Sequence, residues 1–208
     1  VRVRSSSKSA VAYSSFGQAW RILPFVRWVQ NGQIAPVLQA RSLLLTQGFM
    51  TVIYHTPLSP EQQRAAGMST PQPLAMADQV RFSDLDTNNH VNNTVYFEWF
   101  ERLRIRYTQS LVERGLIDSP GPRVVIRSGS IRYVQEMLER ENYIVTCRCT
   151  SFRNTSYALA QEVWVGNELR ATFECILVLL ERDGAGRYPL PDRLKQYFEQ
   201  TEDARPEG

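Results

Sequence analysis

A short polar stretch, FSDLDTNNHVNN at residues 82–93, contains the side chains that acyl-transfer chemistry would need. Seven of its twelve positions are Asp, Asn or His. Asp86 is a carboxylate that could attack an acyl carbon or activate a water molecule. A strongly periodic segment follows at once, and the free amides of a helix start can stabilise a negatively charged oxygen. The pattern therefore indicates a carboxylate beside an oxyanion site.

The same residues also have a purely structural interpretation as turn formers and helix caps. Asn92, Asn93 and Thr94 can each accept hydrogen bonds from the first amides of a helix. Asp and Asn favour turns, because they bond to their own backbone and tolerate left-handed conformations. On residue types alone, the catalytic loop and the structural loop both stay open.

The element that must position this loop is a helix predicted from about Thr94 to Arg114, with Gly115 as its stop signal. Its apolar residues recur at three- and four-residue steps and form one broad face. The stretch MADQVRFSD, residues 76–84, alternates in hydrophobicity and predicts a strand that leads into the loop. The members of the apolar face are Tyr96, Trp99, Phe100, Leu103, Tyr107 and Leu111.

Four β-rich segments follow the helix, and short turn-bearing breaks separate them, so neighbours are expected to pair as antiparallel hairpins in a meander. A last helix is predicted over residues 191–200, with Pro191 near its first turn. This order predicts an α+β fold in which an antiparallel sheet wraps around the long central helix. The predicted strands are residues 123–134, 142–152, 156–165 and 168–181.

The N-terminal part is basic. Residues 1–60 carry six basic residues and no Asp or Glu, in a chain of 208 residues whose net charge is +3. We therefore assign residues 1–75 as a basic extension, residues 76–200 as the folded domain and residues 201–208 as a disordered tail. Short helices are expected at residues 17–29 and 36–47, and the Pro- and Gln-bearing stretch at residues 56–73 is expected to be a loop.

Two explanations of the basic extension are open. A Ser-rich, acid-free N-terminus is typical of an organellar targeting sequence, which predicts an intracellular protein of the mitochondrion or another organelle. Alternatively, the extension is an arm that binds a partner protein or a membrane surface, and the protein is cytoplasmic. No run reaches the ~18 apolar residues of a membrane span. The slightly acidic remainder of the chain has no recognition motif for nucleic acid, so no nucleic-acid partner is expected.

Cysteine and histidine usage argues against a metal centre. Cys147, Cys149 and Cys175 have no metal-ligand spacing, and we interpret them as small packing residues. Their odd number, without a pairing pattern, indicates a reducing compartment. Because His55 and His90 are the only histidines in the chain, a histidine-rich metal site is not expected. No cofactor is expected either.

The stretch FSDLDTNNHVNNTVYFEWFE resembles the signature of hotdog-fold thioesterases of the 4-hydroxybenzoyl-CoA thioesterase type. The resemblance covers about residues 76–182, and the strand order also fits that fold. It implies a hotdog fold and hydrolysis of an acyl thioester, with an acyl-CoA or an acyl carrier protein as substrate. Because sites of this family form between subunits, it also implies a homodimer or a tetramer.

The resemblance also implies roles for individual residues. Asp86 matches the catalytic carboxylate, and the oxyanion donor is a backbone amide near Asn92 or Asn93. His90 and Asn92 match positions that shape the pocket. The implied catalytic set is Asp86, His90 and Asn93, and the implied substrate-binding set is Asn89, Asn92, Tyr96, Arg127 and Arg132. The two arginines are candidates to bind the phosphates of CoA. Alternatively, they belong to a solvated face of their strand.

The sequence departs from the family pattern at two places. Asn89 stands where the family has Gly before the His, and Asn is the residue that best replaces Gly in a left-handed position. The stretch RYVQEMLERENY, residues 132–143, stands where the family has Arg-Pro after the second strand. Two other functions stay open. One is a catalytically silent hotdog subunit of a larger assembly, and the other is a dehydratase or isomerase that pairs a His with an acidic residue.

Overall fold

A computed structural model describes residues 53–207 of the chain. The basic extension up to residue 52, with both helices expected there, lies outside the described residues. A single turn of 3-10 helix, Phe82–Asp84, precedes the central helix. The helices are α1 (Pro60–Ala65), α2 (Asn93–Glu113) and α3 (Asp192–Glu202), and the strands are β1 (Leu74–Gln79), β2 (Arg123–Tyr133), β3 (Asn142–Phe152), β4 (Ser156–Val165), β5 (Glu168–Leu180) and β6 (Arg205–Pro206).

The architecture is an antiparallel sheet with α2 packed against it, which confirms the predicted α+β hotdog arrangement. The five long strands lie in the order β1-β3-β4-β5-β2, and each neighbouring pair is antiparallel. All six apolar residues predicted for the helix face are buried. They form one core with residues of the sheet, such as Leu159 and Leu177. The alternating burial along β4 explains why that strand could be predicted from sequence.

The expected four-strand meander is wrong at its first step. Strand β2 pairs with β5 at the edge of the sheet, and β3 pairs with β1 and β4. The connection from Tyr133 to Asn142 therefore crosses to the other side of the sheet. A connection of this length can span up to about 28 Å, whereas three strand spacings require only about 14 Å. The connection is therefore long enough to avoid a hairpin between β2 and β3. The strand order is decided by which distant strands pair.

The stretch expected as a loop at residues 56–73 contains a helix and packs on the sheet. Ser59 caps α1 in a reciprocal capping box with Gln62, which the proline-rich composition obscured. Leu58 and Met68 are buried with Ala75, Ala77 and Ile144 in a second apolar cluster. The expected boundary near residue 75 therefore falls inside packed structure.

The stretch expected as a disordered tail is ordered up to residue 207. Helix α3 continues to Glu202, whose side chain is buried, and Arg205–Pro206 pair with β3 in parallel. The pairing brings a short polar segment to a sheet edge, which local composition does not reveal. As expected, all three cysteines are free and buried. No helix among residues 53–207 is both long and apolar enough to span a membrane.

Candidate active site

The polar stretch forms a compact loop between the 3-10 turn and α2. The amide of Asp86 donates to the carbonyl oxygen of His90 at 2.9 Å. The amide of Asn89 donates to the carbonyl oxygen of Asp86 at 3.1 Å. Asn89 has φ 62°, so it occupies the left-handed position that its residue type predicted. The amide of Asn92 donates to the carbonyl oxygen of Asp84 at 2.8 Å, which closes the loop against the helix start.

The start of α2 leaves one amide free next to this loop. Asn92 is the N-cap, and its Oδ1 accepts from both the amide and the hydroxyl of Thr94 at 2.9 Å. Its carbonyl oxygen accepts from the amide of Val95 at 3.0 Å. The amide of Asn93 has no acceptor among residues 53–207. Together with the helix dipole, this amide is suited to bind a carbonyl oxygen that becomes negative.

The carboxylate of Asp86 uses one oxygen for the loop and presents the other to His90. Oδ1 accepts from the amide of Asn88 at 2.8 Å. Oδ2 lies 3.6 Å from Nδ1 of His90, and the same nitrogen lies 3.4 Å from the carbonyl oxygen of Val91. The side chains of Asp86 and His90 are 23% and 34% exposed, so both can reach a ligand. Their place on one loop was clear from sequence, but the approach of the two side chains to each other was not.

A cavity of about 360 Å³ brings all three predicted catalytic residues together. Tyr96 forms part of its wall, and the ring of Tyr133 meets it edge-on at a centroid distance of 5.2 Å. Burial raises the pKa of Tyr96 to about 12, so its phenol stays neutral at physiological pH. The residues around the cavity are Asp86, His90, Val91, Asn93, Tyr96, Tyr133, Val134, Gln135 and Glu136.

The remaining predicted site residues lie elsewhere. Asn89 and Asn92 shape the loop and cap the helix, and neither lines this cavity. Arg127 lies at the bulge of β2 and lines a separate cavity of about 770 Å³. Arg132 is exposed on the same strand. Contact of either arginine with a substrate stays a prediction.

Among the cavity residues that were not singled out from sequence, three have polar side chains: Tyr133, Gln135 and Glu136. The hydroxyl of Tyr133 donates to the carbonyl oxygen of Asn93 at 3.1 Å, which ties the end of β2 to the start of α2. All three lie in residues 132–143, the second departure from the family pattern. That departure was the available signal, although it could not show where the stretch would pack.

The arrangement combines a carboxylate oxygen, an imidazole and a free helix-start amide at one cavity, which suits attack on an acyl carbon. In the part of the chain that the structure describes, no three His, Cys, Asp or Glu side chains are placed to hold a metal ion.

Comparison with known proteins points to the same chemistry. A family model described as the thioesterase-like superfamily matches residues 80–198, more than half of the chain. The match includes the polar loop, α2 and all strands from β2 to β5. A comparison with curated proteins gives no match.

Two solved structures share both fold and sequence with this chain. A thioesterase superfamily protein from Jannaschia sp. CCS1 is 36% identical, with a TM-score of 0.66, and the match covers 73% of this chain and 97% of that one. A thioesterase from Thermus thermophilus, solved in complex with coenzyme A and Zn, is 28% identical, with a TM-score of 0.52. That match covers 62% of this chain and 98% of the other.

Proposed function

This chain belongs to the thioesterase-like superfamily, and we propose that the thioester it hydrolyses is an acyl-CoA. One observation carries the proposal: Asp86, with its carboxylate, and Asn93, with its free amide, line the same 360 Å³ cavity. The similar Thermus thermophilus thioesterase, which was solved with coenzyme A, supports CoA as the thiol. An acyl carrier protein is the alternative thiol carrier.

The geometry suggests how the reaction would run. The acyl carbonyl oxygen would accept a hydrogen bond from the amide of Asn93, which stabilises the charge that develops on this oxygen. In one route, Oδ2 of Asp86 attacks the acyl carbon, the CoA thiolate leaves, and water then hydrolyses the mixed anhydride. In the other, Asp86 takes a proton from a water molecule that attacks the same carbon. Both routes yield the free acid and the CoA thiol.

His90 has a supporting role in either route. Its Nδ1 lies 3.6 Å from Oδ2 of Asp86, so a small rotation would let the ring orient this oxygen. We assign the neutral phenol of Tyr96, together with Tyr133, to the wall that receives the acyl group.

We also propose a homodimer, because β2 leaves one long edge of the sheet unpaired among the described strands. Beside it, a groove of about 830 Å³ runs between α2 and β2. Ile105 and Ile126 line this groove and are 53% and 45% exposed. A second copy that docks along β2 would cover these side chains and leave an apolar passage for the acyl chain. Arg127 and Arg132 on that strand remain our candidates for the CoA phosphates.

The test is hydrolysis of aromatic, short-chain and long-chain acyl-CoAs by the wild type and by Asp86→Asn. We expect kcat/KM to fall by about 10²–10⁴-fold on the preferred substrate, as for loss of a general base. Asp84→Asn is the matched control, because Asp84 ends the adjacent 3-10 turn and, among the described residues, its Oδ2 accepts from one group, the backbone amide of Arg81 at 2.9 Å. Wild-type rates in Asp86→Asn would refute the assignment.

A structural subunit is the second candidate, and the acid-free basic extension is the observation that favours it. Residues 1–60 carry a charge of +6, which a minimal thioesterase does not need. This alternative predicts no turnover by the wild type on any acyl thioester. Organellar targeting by the same extension is a separate proposal, and fusion of residues 1–60 to a fluorescent protein tests it by microscopy.

A further inference from the structure

The cavity has one wall that is part of neither the polar loop nor α2. Residues 133–136, here called the wall segment, run from the last residue of β2 and face Asp86 and His90 across the cavity. The hydroxyl of Tyr133 bonds to Asn93 at one end of the wall segment. Just beyond the other end, the carbonyl oxygen of Met137 accepts from the amide of Val91 at 2.9 Å. These two bonds tie the wall segment to the loop and to the helix.

A third set of bonds comes from a single residue of β5, Arg170. Its carbonyl oxygen accepts from the amides of Val134 at 2.8 Å and of Gln135 at 3.2 Å. Its Nη1 donates to the carbonyl oxygen of Glu136 at 3.2 Å. Arg170 therefore bonds to three consecutive residues of the wall segment, twice through its backbone and once through its guanidinium.

The guanidinium of Arg170 is itself held in place. Nη2 lies 3.3 Å from Oε1 of Glu141 and 3.1 Å from Oε2 of Glu168, and the side chain is only 8% exposed. Burial of an arginine costs desolvation free energy, and only well-placed partners offset this cost. Its planar fork can bridge two carboxylates and a carbonyl at fixed angles, which a lysine ammonium cannot reproduce.

We propose that Arg170 is a positioning residue for thioester hydrolysis, because it sets the distance between the wall segment and Asp86. The inference rests on the proposed function. Arg170 does not line the cavity, so it acts through the backbone of residues 134–136. Displacement of an acyl group by about 1 Å from its reactive position can cost about 10²-fold in rate. A residue that fixes this wall is therefore expected to affect kcat more than KM.

The test compares Arg170→Met and Arg170→Lys with Arg102→Met. Arg102 is the control, because its Nη1 bonds to the largely buried Asp78 at 3.1 Å, away from this cavity. We expect kcat to fall by about 10–100-fold in Arg170→Met, with KM changed less than about threefold. Arg102→Met should keep kcat within about threefold when folded fractions are equal. Arg170→Lys retains the charge and is expected to fold, but its kcat should also fall by about 10-fold.

Hydrogen exchange at the amides of Val134 and Gln135 separates positioning from activity. The backbone carbonyl of residue 170 stays in Arg170→Met, but the guanidinium bond to Glu136 is lost, so we expect faster exchange at both amides as the wall segment loosens. Exchange should be unchanged in Arg102→Met. Faster exchange with unchanged kcat would overturn the proposal, as would an equal loss of kcat in both methionine variants. A wild type that hydrolyses no acyl-CoA would refute the proposed function, whereas the exchange rates would still decide whether Arg170 holds the wall segment.

Discussion

Two carboxylates pack against the same helix, α2, and their surroundings differ in almost every respect. Asp86 lies near the helix start and is partly exposed, and its Oδ2 has no close donor within residues 53–207. Glu202 reaches the second half of the helix from α3 and is only 4% exposed. The hydroxyl of Tyr107 lies 2.8 and 2.9 Å from its two oxygens, and the amide of Cys149 also donates to Oε2.

The difference separates a carboxylate that is available for chemistry from a structural one. Each oxygen of Glu202 lies against protein donors, so the group can only stabilise the packing of α3 on α2 and β3. Asp86 bonds to its own loop through Oδ1, and it lines the same cavity as Asn93, whose amide has no acceptor among residues 53–207. A carboxylate needs an unoccupied oxygen and an accessible partner site before it can do chemistry.

The largest expected effect on this comparison comes from removal of His90, the side chain beside Asp86. His90→Ala should lower kcat/KM by about 10–100-fold, because Oδ2 of Asp86 loses the ring that orients it. The free energy of unfolding should change by less than about 0.5 kcal/mol, because the side chain is one-third exposed. Steady-state kinetics and urea denaturation check the two statements. Wild-type kinetics would show that His90 has no part in the reaction.

The structural carboxylate should respond in the opposite way. Tyr107→Phe removes the hydroxyl that donates to the carboxylate of the buried Glu202. We expect the free energy of unfolding to fall by about 1–3 kcal/mol, because a buried charged group loses a donor. The kcat of the folded fraction should not change. Loss of kcat without loss of stability would show that Glu202 and its partners serve the active site.

The pH dependence of stability tests the buried state of Glu202 directly. Burial raises the pKa of Glu202, an effect that the hydrogen bonds from Cys149 and Tyr107 oppose. A raised folded-state pKa gives stability that is present at low pH and is lost as the pH rises through that pKa. The difference in unfolding free energy between wild type and Glu202→Gln should therefore become less favourable to the wild type with rising pH. A difference that is independent of pH would contradict the raised pKa.

The smallest effect is expected in the loop backbone. Asn89 has φ 62°, a conformation that costs a residue with a Cβ about 1–2 kcal/mol unless a short polar side chain relieves it. Asn89→Ala should lower the free energy of unfolding by about 1 kcal/mol. Asn89→Gly, which restores the family residue, should change it by less than about 0.5 kcal/mol. Denaturation midpoints decide between them, and equal values would remove the conformational argument.

Much of the secondary structure could be predicted because its signals are local. The bounds of β3 and β4 agree with the predicted residues 142–152 and 156–165, since alternation and short turns mark them. Helix α2 begins one residue earlier than predicted, at Asn93, because Asn92 is the N-cap. The same local chemistry predicted the left-handed Asn89 and drew attention to Asp86.

The errors arose where distant segments meet. Strand β2 pairs with β5 rather than β3, and the supposed tail contributes Glu202 and β6. Tyr107 was recognised as part of the buried helix face, but not its partner 95 residues away. Likewise, no periodicity links Arg170 to the wall segment.

The sequence was enough to predict most of the elements, the apolar face of α2 and the position of the polar loop, because helix period, strand alternation and turn preferences act over a few residues. The strand order, the wall of the cavity and the burial of Glu202 could be known only from the tertiary structure. These features depend on which distant surfaces pack together and exclude water. Hydrophobic burial is non-directional, and it specifies a partner only through the shape of the whole core.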